Sequence, residues 1–359
     1  MKTNVLHIID SLKTGGAETI AVNTVNALNQ TSSVNAYLCA TREEGPLKNT
    51  LDNHSRYIFL NKKRTFDGSA LKVLKNFIQE NNIDIIHAHS TSFFIAYLIK
   101  LRVKNVKVIW HNHSGANTKL GSGRLWIVKI CVKTFAAIIN VNDALNDWAQ
   151  RELKFSNSIK LDNFVNLDIG LKKTQLIGDT KTKIVCVAGF RQEKDHLNLL
   201  KAFKLLLNKN SDLSLHLIGN RYNDNYEASL LKFIQDNDLI DNVFIYGNRP
   251  DVFHILTQAD IGILSSKSEG LPLSLLEYGL AKLPVVVTNV GDCSNVVENN
   301  SSGLIVEKEN DNALAQAIQS LLIDRDKATT FGENLYQTVK KKYSVEKYID
   351  KLISIYSTL

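Results

Sequence analysis

Two carboxylates eight residues apart, Glu269 and Glu277, bracket a proline in the segment EGLPLSLLE. The segment follows the apolar run 261–264 and has the pattern of a helix start. Pro272 suits a first helical turn, where its missing N–H is no loss. The free N–H groups of Leu273 and Ser274, with the helix dipole and the flexible Gly270 beside them, make a place for an anion such as a phosphate. Both carboxylates can accept hydrogen bonds from vicinal hydroxyls, the way proteins hold sugars and ribose. The plainer alternative makes Glu277 a solvated helix residue and Glu269 a cap. The apolar surroundings weigh against it, because a carboxylate there needs a partner.

A second group, Gly189-Phe190-Arg191-Gln192-Glu193-Lys194, lies just past an apolar run and before another helix pattern. Arg191 and Lys194 can hold a diphosphate and stabilise it as it leaves, with no metal required; the alternative is two surface cations. Gly15 and Gly16 follow the first apolar run directly, where paired glycines let backbone approach a ligand. They do not form GxGxxG, so the dinucleotide fingerprint is missing. Two HxH pairs, His87/His89 and His111/His113, fall at expected strand ends. Two histidines spaced by two share a strand face without closing a metal shell, and no Asp, Glu or Cys nearby completes one. A cleft histidine bonded to a sugar hydroxyl is the preferred reading, and a satisfied buried histidine the alternative. Asp236-Asn237-Asp238 and Asp324-Arg325-Asp326 match the DxD metal–nucleotide signature but read as helix caps and turns.

These residues need a scaffold, and the apolar runs supply one. In the first half strands are expected at 5–9, 34–39, 57–60, 84–88, 106–110 and 137–141, with helices at 17–28, 69–80, 92–101, 124–134 and 144–153. In the second half strands at 183–188, 213–218, 243–246, 261–264 and 284–288 alternate with helices at 196–208, 226–237, 251–258 and 272–281, and two or three more helices finish the chain. Strand–helix repetition argues for parallel sheets covered on both faces. Two such sheets facing one another would form a cleft at their carboxyl ends, where open parallel sheets bind ligands. The weakly patterned stretch 167–181 reads as the linker.

The chain has 359 residues, long enough for two domains. It has 22 Lys+Arg against 13 Asp+Glu in residues 1–172 and 21 against 23 in 173–359. A basic first half suits an anionic membrane surface or a polyanionic substrate, or is simply a lysine-rich soluble face. Nucleic acid is disfavoured, since no aromatic–basic interleaving is present. No apolar run reaches the roughly 18 residues of a spanning helix. The amino terminus reads as a buried strand rather than a secretory signal. Cys39, Cys131, Cys186 and Cys293 form no CxxC pair and read as buried thiols of a cytoplasmic protein.

Taken in order, these segments resemble the retaining glycosyltransferases of family 4, the group 1 glycosyltransferases with the GT-B fold. The resemblance spans nearly the whole chain. It runs through Gly15–Glu18, His111–His113, Val141–Leu145 (with Asn142 in place of a common Ser), Leu161–Asn166, Arg191 with Lys194, Ala259-Asp260, Glu269–Glu277 and Pro284–Gly291. A second glycine common after Gly291 is Asp292 here. The resemblance implies an α/β protein with an acceptor-side Rossmann-like domain over 1–170 and a nucleotide-sugar-binding one over 171–343. A last helix over 344–359 would cross back to the first domain. Gly16 would approach the donor phosphate or the reacting centre, Arg191 and Lys194 the diphosphate, Glu269 the transferred sugar and Glu277 the ribose. Arg249, in the loop 247–250, would flank the base, and Gly189 belongs with the donor group. Spacing does not distinguish His111 from His113 as the catalytic-region histidine. The implied reaction is metal-independent hexosyl transfer from a UDP- or GDP-sugar, without cofactor and with retention. The acceptor would be a saccharide or a lipid-linked intermediate of bacterial surface polysaccharide, at the inner face of the plasma membrane. A sugar-nucleotide epimerase of the same fold, or a non-catalytic partner subunit, are the competing readings.

Overall fold

The computed structural model describes residues 2–166 and 172–359, apart from the side chains of Ala116 and Lys119. The chain divides into two compact units, Met1–Phe164 with Val345–Leu359, and Val165–Ser344.

In the first unit the elements run β1 (Thr3–Ser11), α1 (Gly16–Asn29), β2 (Val34–Glu43), β3 (Tyr57–Phe59), α2 (Gly68–Glu80), β4 (Ile85–His89), α3 (Phe93–Lys100), β5 (Lys107–Asn112), α4 (Ser122–Val132), β6 (Ala137–Asn140), α5 (Asp143–Glu152) and β7 (Ser158–Lys160). All strand pairs are parallel, in the order β3-β2-β1-β4-β5-β6-β7. Every residue of β4 and β6 is buried, which is why these strands read as continuous apolar runs rather than alternating ones. Two of its helices, α2 and α5, start where a side chain can satisfy a first N–H group. Asp67 caps α2 through the Ala70 N–H at 3.1 Å, and Asn142 caps α5 through the Leu145 N–H at 2.9 Å. That bond gives Asn142 its role: it does the capping a serine could also do.

The second unit continues with β8 (Thr182–Val187), α6 (His196–Leu207), β9 (Leu213–Ile218), α7 (Asn225–Asp236), β10 (Val243–Gly247), α8 (Val252–Leu256), β11 (Ile261–Leu264), α9 (Leu273–Leu280), β12 (Val285–Thr288), α10 (Cys293–Val296), β13 (Leu304–Val306), α11 (Asp311–Ile323) and α12 (Arg325–Lys342). Its parallel sheet has the order β10-β9-β8-β11-β12-β13. The last helix, α13 (Val345–Ser357), belongs to the first unit, where it buries Tyr348, Ile349, Leu352, Ile355 and Tyr356. Both units are therefore Rossmann-like, with the strand order reversing between β1 and β4 and between β8 and β11.

Three features depart from the sequence reading. The three-residue strands β7 and β13 and the short α10 carry too little pattern to be read. The division falls after Phe164 rather than after 170, because Phe164 packs on Tyr348 of α13 while Val165 joins the core around Val185 and Tyr246. The stretch taken as a linker is only partly free. Residues 167–171 lie outside the described residues, but the Lys173 and Thr174 N–H groups are held by the Asp251 carboxylate at 2.7 and 2.6 Å, and Leu176 is buried. All four cysteines are buried free thiols. Among the described residues no helix is long and apolar enough to cross a membrane.

Candidate active site

The second unit gathers its polar residues where β8 and β11 part. Those two strands pair only through Ile184 and Val185. Beyond that point the Tyr278 hydroxyl, from α9, fills the gap: it accepts from the Val187 N–H at 2.7 Å and donates to the Ile263 carbonyl at 3.1 Å. Gly262 leaves room for that ring, since a Cβ there would lie 2.8 Å from it. The sequence reading missed Tyr278, because an aromatic residue on an apolar helix looks like plain core.

The loops after β8 and β11 are tied together. The Ser265 hydroxyl donates to the Lys194 carbonyl at 3.0 Å, and the Lys267 N–H to the Glu193 carbonyl at 2.7 Å. On this base Lys194 and Glu269 form an ion pair, the ammonium reaching both carboxylate oxygens at 2.7 and 2.8 Å, and the Ser266 hydroxyl adds a third bond at 2.6 Å. The two residues given separate roles by sequence thus act as one unit, with Glu269 nearly enclosed. Gly291 fixes the far side of this loop. It adopts φ +54°, and a Cβ there would lie 2.4 Å from the Glu269 carbonyl oxygen and 2.6 Å from that of Gly270, while the Asp292 N–H donates to the Gly270 carbonyl at 2.9 Å.

Arg191 differs from its neighbours. It is exposed, lies over the Tyr222 ring at 5.6 Å, and has no ion pair among the described residues. A Cβ on Gly189 would meet the Tyr222 hydroxyl at 3.4 Å and the Arg191 Nε at 3.8 Å, ordinary contact distances, so space does not demand glycine there. On α9, Pro272 is the cap residue rather than part of the helix, and it supplies no side-chain bond to the first turn. The N–H groups of Leu273 and Ser274 therefore keep the orientation expected of an anion site. Glu277 is partly buried and has no hydrogen-bond or ion-pair partner among the described residues; burial pushes its carboxyl up to about 7. Arg249, past the end of β10, lines a separate cavity of about 390 Å³ with Tyr246, Asp251 and Thr174. The DxD matches are structural: Asp236 ends α7, and the Asp324 carboxylate accepts from the Lys327 N–H at 2.9 Å.

In the first unit Gly15 is the cap residue of α1, in extended conformation at φ −166°. No left-handed backbone requires glycine there, so conformational freedom is not the reason for it. The histidines bring the larger correction. Parallel register sets His7 of β1 opposite His87 of β4, and His89 opposite His111 of β5. His7, His87, His89, His111 and His113 therefore form one cluster. Ring nitrogens of His7, His87 and His89, and of His89, His111 and His113, lie within 4.8 Å of one another. Spacing along single strands could not show this, because the neighbours come from different strands.

The same unit holds a cavity of about 380 Å³ lined by Phe93, Phe94, Ile127 and Trp110 on its apolar side and by Asp10, Arg42, Lys62 and Arg124 on its polar side. The Asp10 carboxylate accepts from the Thr91 hydroxyl at 2.6 Å. Lys62 is buried in this wall, and desolvation, then the Arg42 charge, holds its amine below the ordinary lysine range.

Comparison with known proteins agrees with this architecture. Residues 14–168 match the model of Glycosyltransferase Family 4, and residues 170–338 that of Glycosyl transferases group 1. The chain is 24% identical to N-acetyl-alpha-D-glucosaminyl L-malate synthase of Bacillus anthracis, over 77% of this chain and 75% of that protein. It is also 24% identical to UDP-Gal:alpha-D-GlcNAc-diphosphoundecaprenol alpha-1,3-galactosyltransferase of Escherichia coli, over 88% and 87%. The crystal structure of Anabaena HepE in complex with UDP and glucose superposes with a TM-score of 0.86 at 16% identity, covering 99% of this chain and all of that one. With two family models in tandem across its two Rossmann-like units, the chain belongs to the group 1, family 4 glycosyltransferases of the GT-B fold.

Proposed function

We propose that the chain transfers a hexosyl group from a UDP- or GDP-sugar with retention at the anomeric carbon, using no metal. The observation that carries this reading is the contrast between the polar groups of the second unit. The Lys194–Glu269 pair is satisfied by its own members, whereas the Arg191 guanidinium and the Glu277 carboxyl have no ion-pair partner among the described residues. An unpaired cation beside a strand end is complementary to a diphosphate. It stabilises the charge that grows as the diphosphate leaves, and Lys194, paired with Glu269, lies beside it as a hydrogen-bond donor. An unpartnered carboxyl on the neighbouring helix is complementary to a pair of hydroxyls, as on ribose. Glu269, held rigid by Lys194 and Ser266, orients the transferred sugar.

For the acceptor we infer a saccharide, or a lipid-linked saccharide of surface polysaccharide synthesis. The cavity beside Arg42 and Arg124 supports this, since it combines an apolar wall with cations suited to a phosphate-bearing lipid. Hydrolysis of a panel of UDP- and GDP-sugars, with and without EDTA, tests the proposal. Slow release of UDP or GDP from at least one donor, unchanged by EDTA, is expected. Release that needs an added divalent cation would overturn the metal-free step, and isomerised donor instead of free nucleotide would point to an epimerase.

A further inference from the structure

Six side chains of the first unit form a single hydrogen-bond chain. His113 Nε2 meets His89 Nδ1 at 2.9 Å, and His89 Nε2 meets His7 Nδ1 at 3.0 Å. His7 Nε2 meets the Tyr356 hydroxyl at 3.3 Å, and that hydroxyl meets His87 Nδ1 at 2.7 Å. His87 Nε2 then meets His111 Nδ1 at 3.0 Å. Every junction is head to tail, Nδ1 against Nε2, either directly or through the one tyrosine.

Burial keeps all five rings neutral. It lowers His7 and His113 to about 3 and the other three well below 6.5, the neighbouring histidines adding to the effect. A neutral imidazole carries one proton, so it donates from one nitrogen and accepts at the other. In a head-to-tail chain the choice at one ring then dictates the next. Either all five rings carry the proton on Nδ1 or all five carry it on Nε2. Any mixture leaves one buried junction with two protons or with none, or leaves the Tyr356 hydroxyl proton without an acceptor.

The two ends of the chain differ. His111 Nε2 is fully buried and has no hydrogen-bond partner among the described residues. The His113 ring is only partly buried, and its Nδ1 has no hydrogen-bond partner among the described residues. Orphaned buried N–H groups are rarer in folded proteins than under-satisfied acceptors. The buried end therefore selects the lone pair at His111 Nε2, and with it the Nδ1–H form throughout.

We propose that this chain fixes His113 as a neutral N–H donor at Nδ1, complementary to an oxygen lone pair of a bound saccharide or phosphoryl group. His7, His87, His89 and Tyr356 are positioning residues that transmit the polarity set at His111. That the bound group is a sugar substrate rests on the glycosyl-transfer reading; the common tautomer does not. The same geometry argues against a metal here. Nitrogens of two imidazoles bound to one tetrahedral zinc lie about 3.4 Å apart, given Zn–N of about 2.0–2.1 Å, and the direct contacts in the chain are shorter.

Long-range proton–nitrogen NMR on the full chain with ¹⁵N-labelled histidine decides the matter without turnover. His54, His196, His216 and His254 serve as references outside the chain. The expected spectrum has His7, His87, His89, His111 and His113 all neutral with the proton on Nδ1. In Tyr356→Phe the relay is cut, so His87 and His111 are expected to become a mixture of tautomers while His7, His89 and His113 keep the Nδ1 proton. A wild-type spectrum with the five rings mixed, protonated on Nε2 or doubly protonated would overturn the proposal, and so would stoichiometric zinc in elemental analysis of the untagged protein. If Tyr356→Phe does not fold, the wild-type tautomers alone settle it.

Discussion

Arg191 and Glu277 have no ion-pair partner among the described residues, and they carry the sharpest expectations. Losing one preorganised donor to a developing oxyanion typically lowers turnover by about 10²–10³. Arg191→Ala is expected to fall in that range while its unfolding transition stays near wild type, because the side chain is exposed and lies over the Tyr222 ring. Near-normal donor hydrolysis by a folded Arg191→Ala protein would remove it from the reaction. Glu277 makes a pH-dependent claim. Its unfolded carboxyl loses its proton near 4.5, but the folded one holds it to about 7. Across that window the folded state binds more protons, so the group costs stability as pH rises and the full cost applies above pH 7. Glu277→Gln should therefore raise the melting temperature at pH 8, by an effect on the order of 3 kcal/mol, and the gain should shrink toward pH 4.5. The same variant should weaken donor binding by roughly 1.5–3 kcal/mol. A melting curve at pH 8 that does not move would contradict the raised titration of this partly buried carboxyl. At this scale the sequence already named Arg191, Lys194, Glu269 and Glu277 from their positions after apolar runs. It could not show that Lys194 and Glu269 satisfy each other, nor that Tyr278 and Ser265 hold the site open, because those bonds join residues 71 or more positions apart.

At the scale of elements, apolar runs of four to six residues placed β4, β5, β6, β8, β9, β11 and β12 to within about two residues, since a strand buried on both faces leaves an unbroken hydrophobic signature. Elements whose stability comes from their neighbours left no such mark: β7, β13 and α10 are three or four residues long and exist because a sheet edge or a turn receives them. The turn after β12 is the element on which the site leans. Gly291 combines a left-handed backbone with a Cβ position already filled by two backbone carbonyls, neither of which can yield as a side chain can. Gly291→Ala is expected to cost about 1–3 kcal/mol of stability, visible in thermal melting, and to displace the Glu269 loop, visible as weaker UDP binding in calorimetry. An alanine variant with unchanged melting and unchanged UDP affinity would show that the turn does not position the loop.

For the molecule as a whole, the uneven charge is the property that no single site explains. The basic first half carries exposed aromatic and aliphatic groups at Phe66, Trp126 and Ile127, and Phe66 packs edge-on against Phe94 of the amphipathic cavity. Cationic and apolar surface together suit an anionic lipid interface. Co-sedimentation with vesicles is expected to rise with anionic lipid, to fall with salt, and to weaken in Trp126→Ala; binding indifferent to lipid charge would count against that surface. The sequence by itself determined the doubled α/β pattern, the parallel character of both sheets and the family, because hydrophobic period and ordered motifs are local properties that survive at low identity. Tertiary structure decided what depends on strand order. Only the placing of β1 beside β4, and of β4 beside β5, joins His7 to two separate HxH pairs, and only the packing of α13 on the first unit brings Tyr356 to the same chain. Histidines 24 and 82 residues apart become hydrogen-bond partners through register, and register is fixed by the burial of whole sheets rather than by the residues that benefit from it.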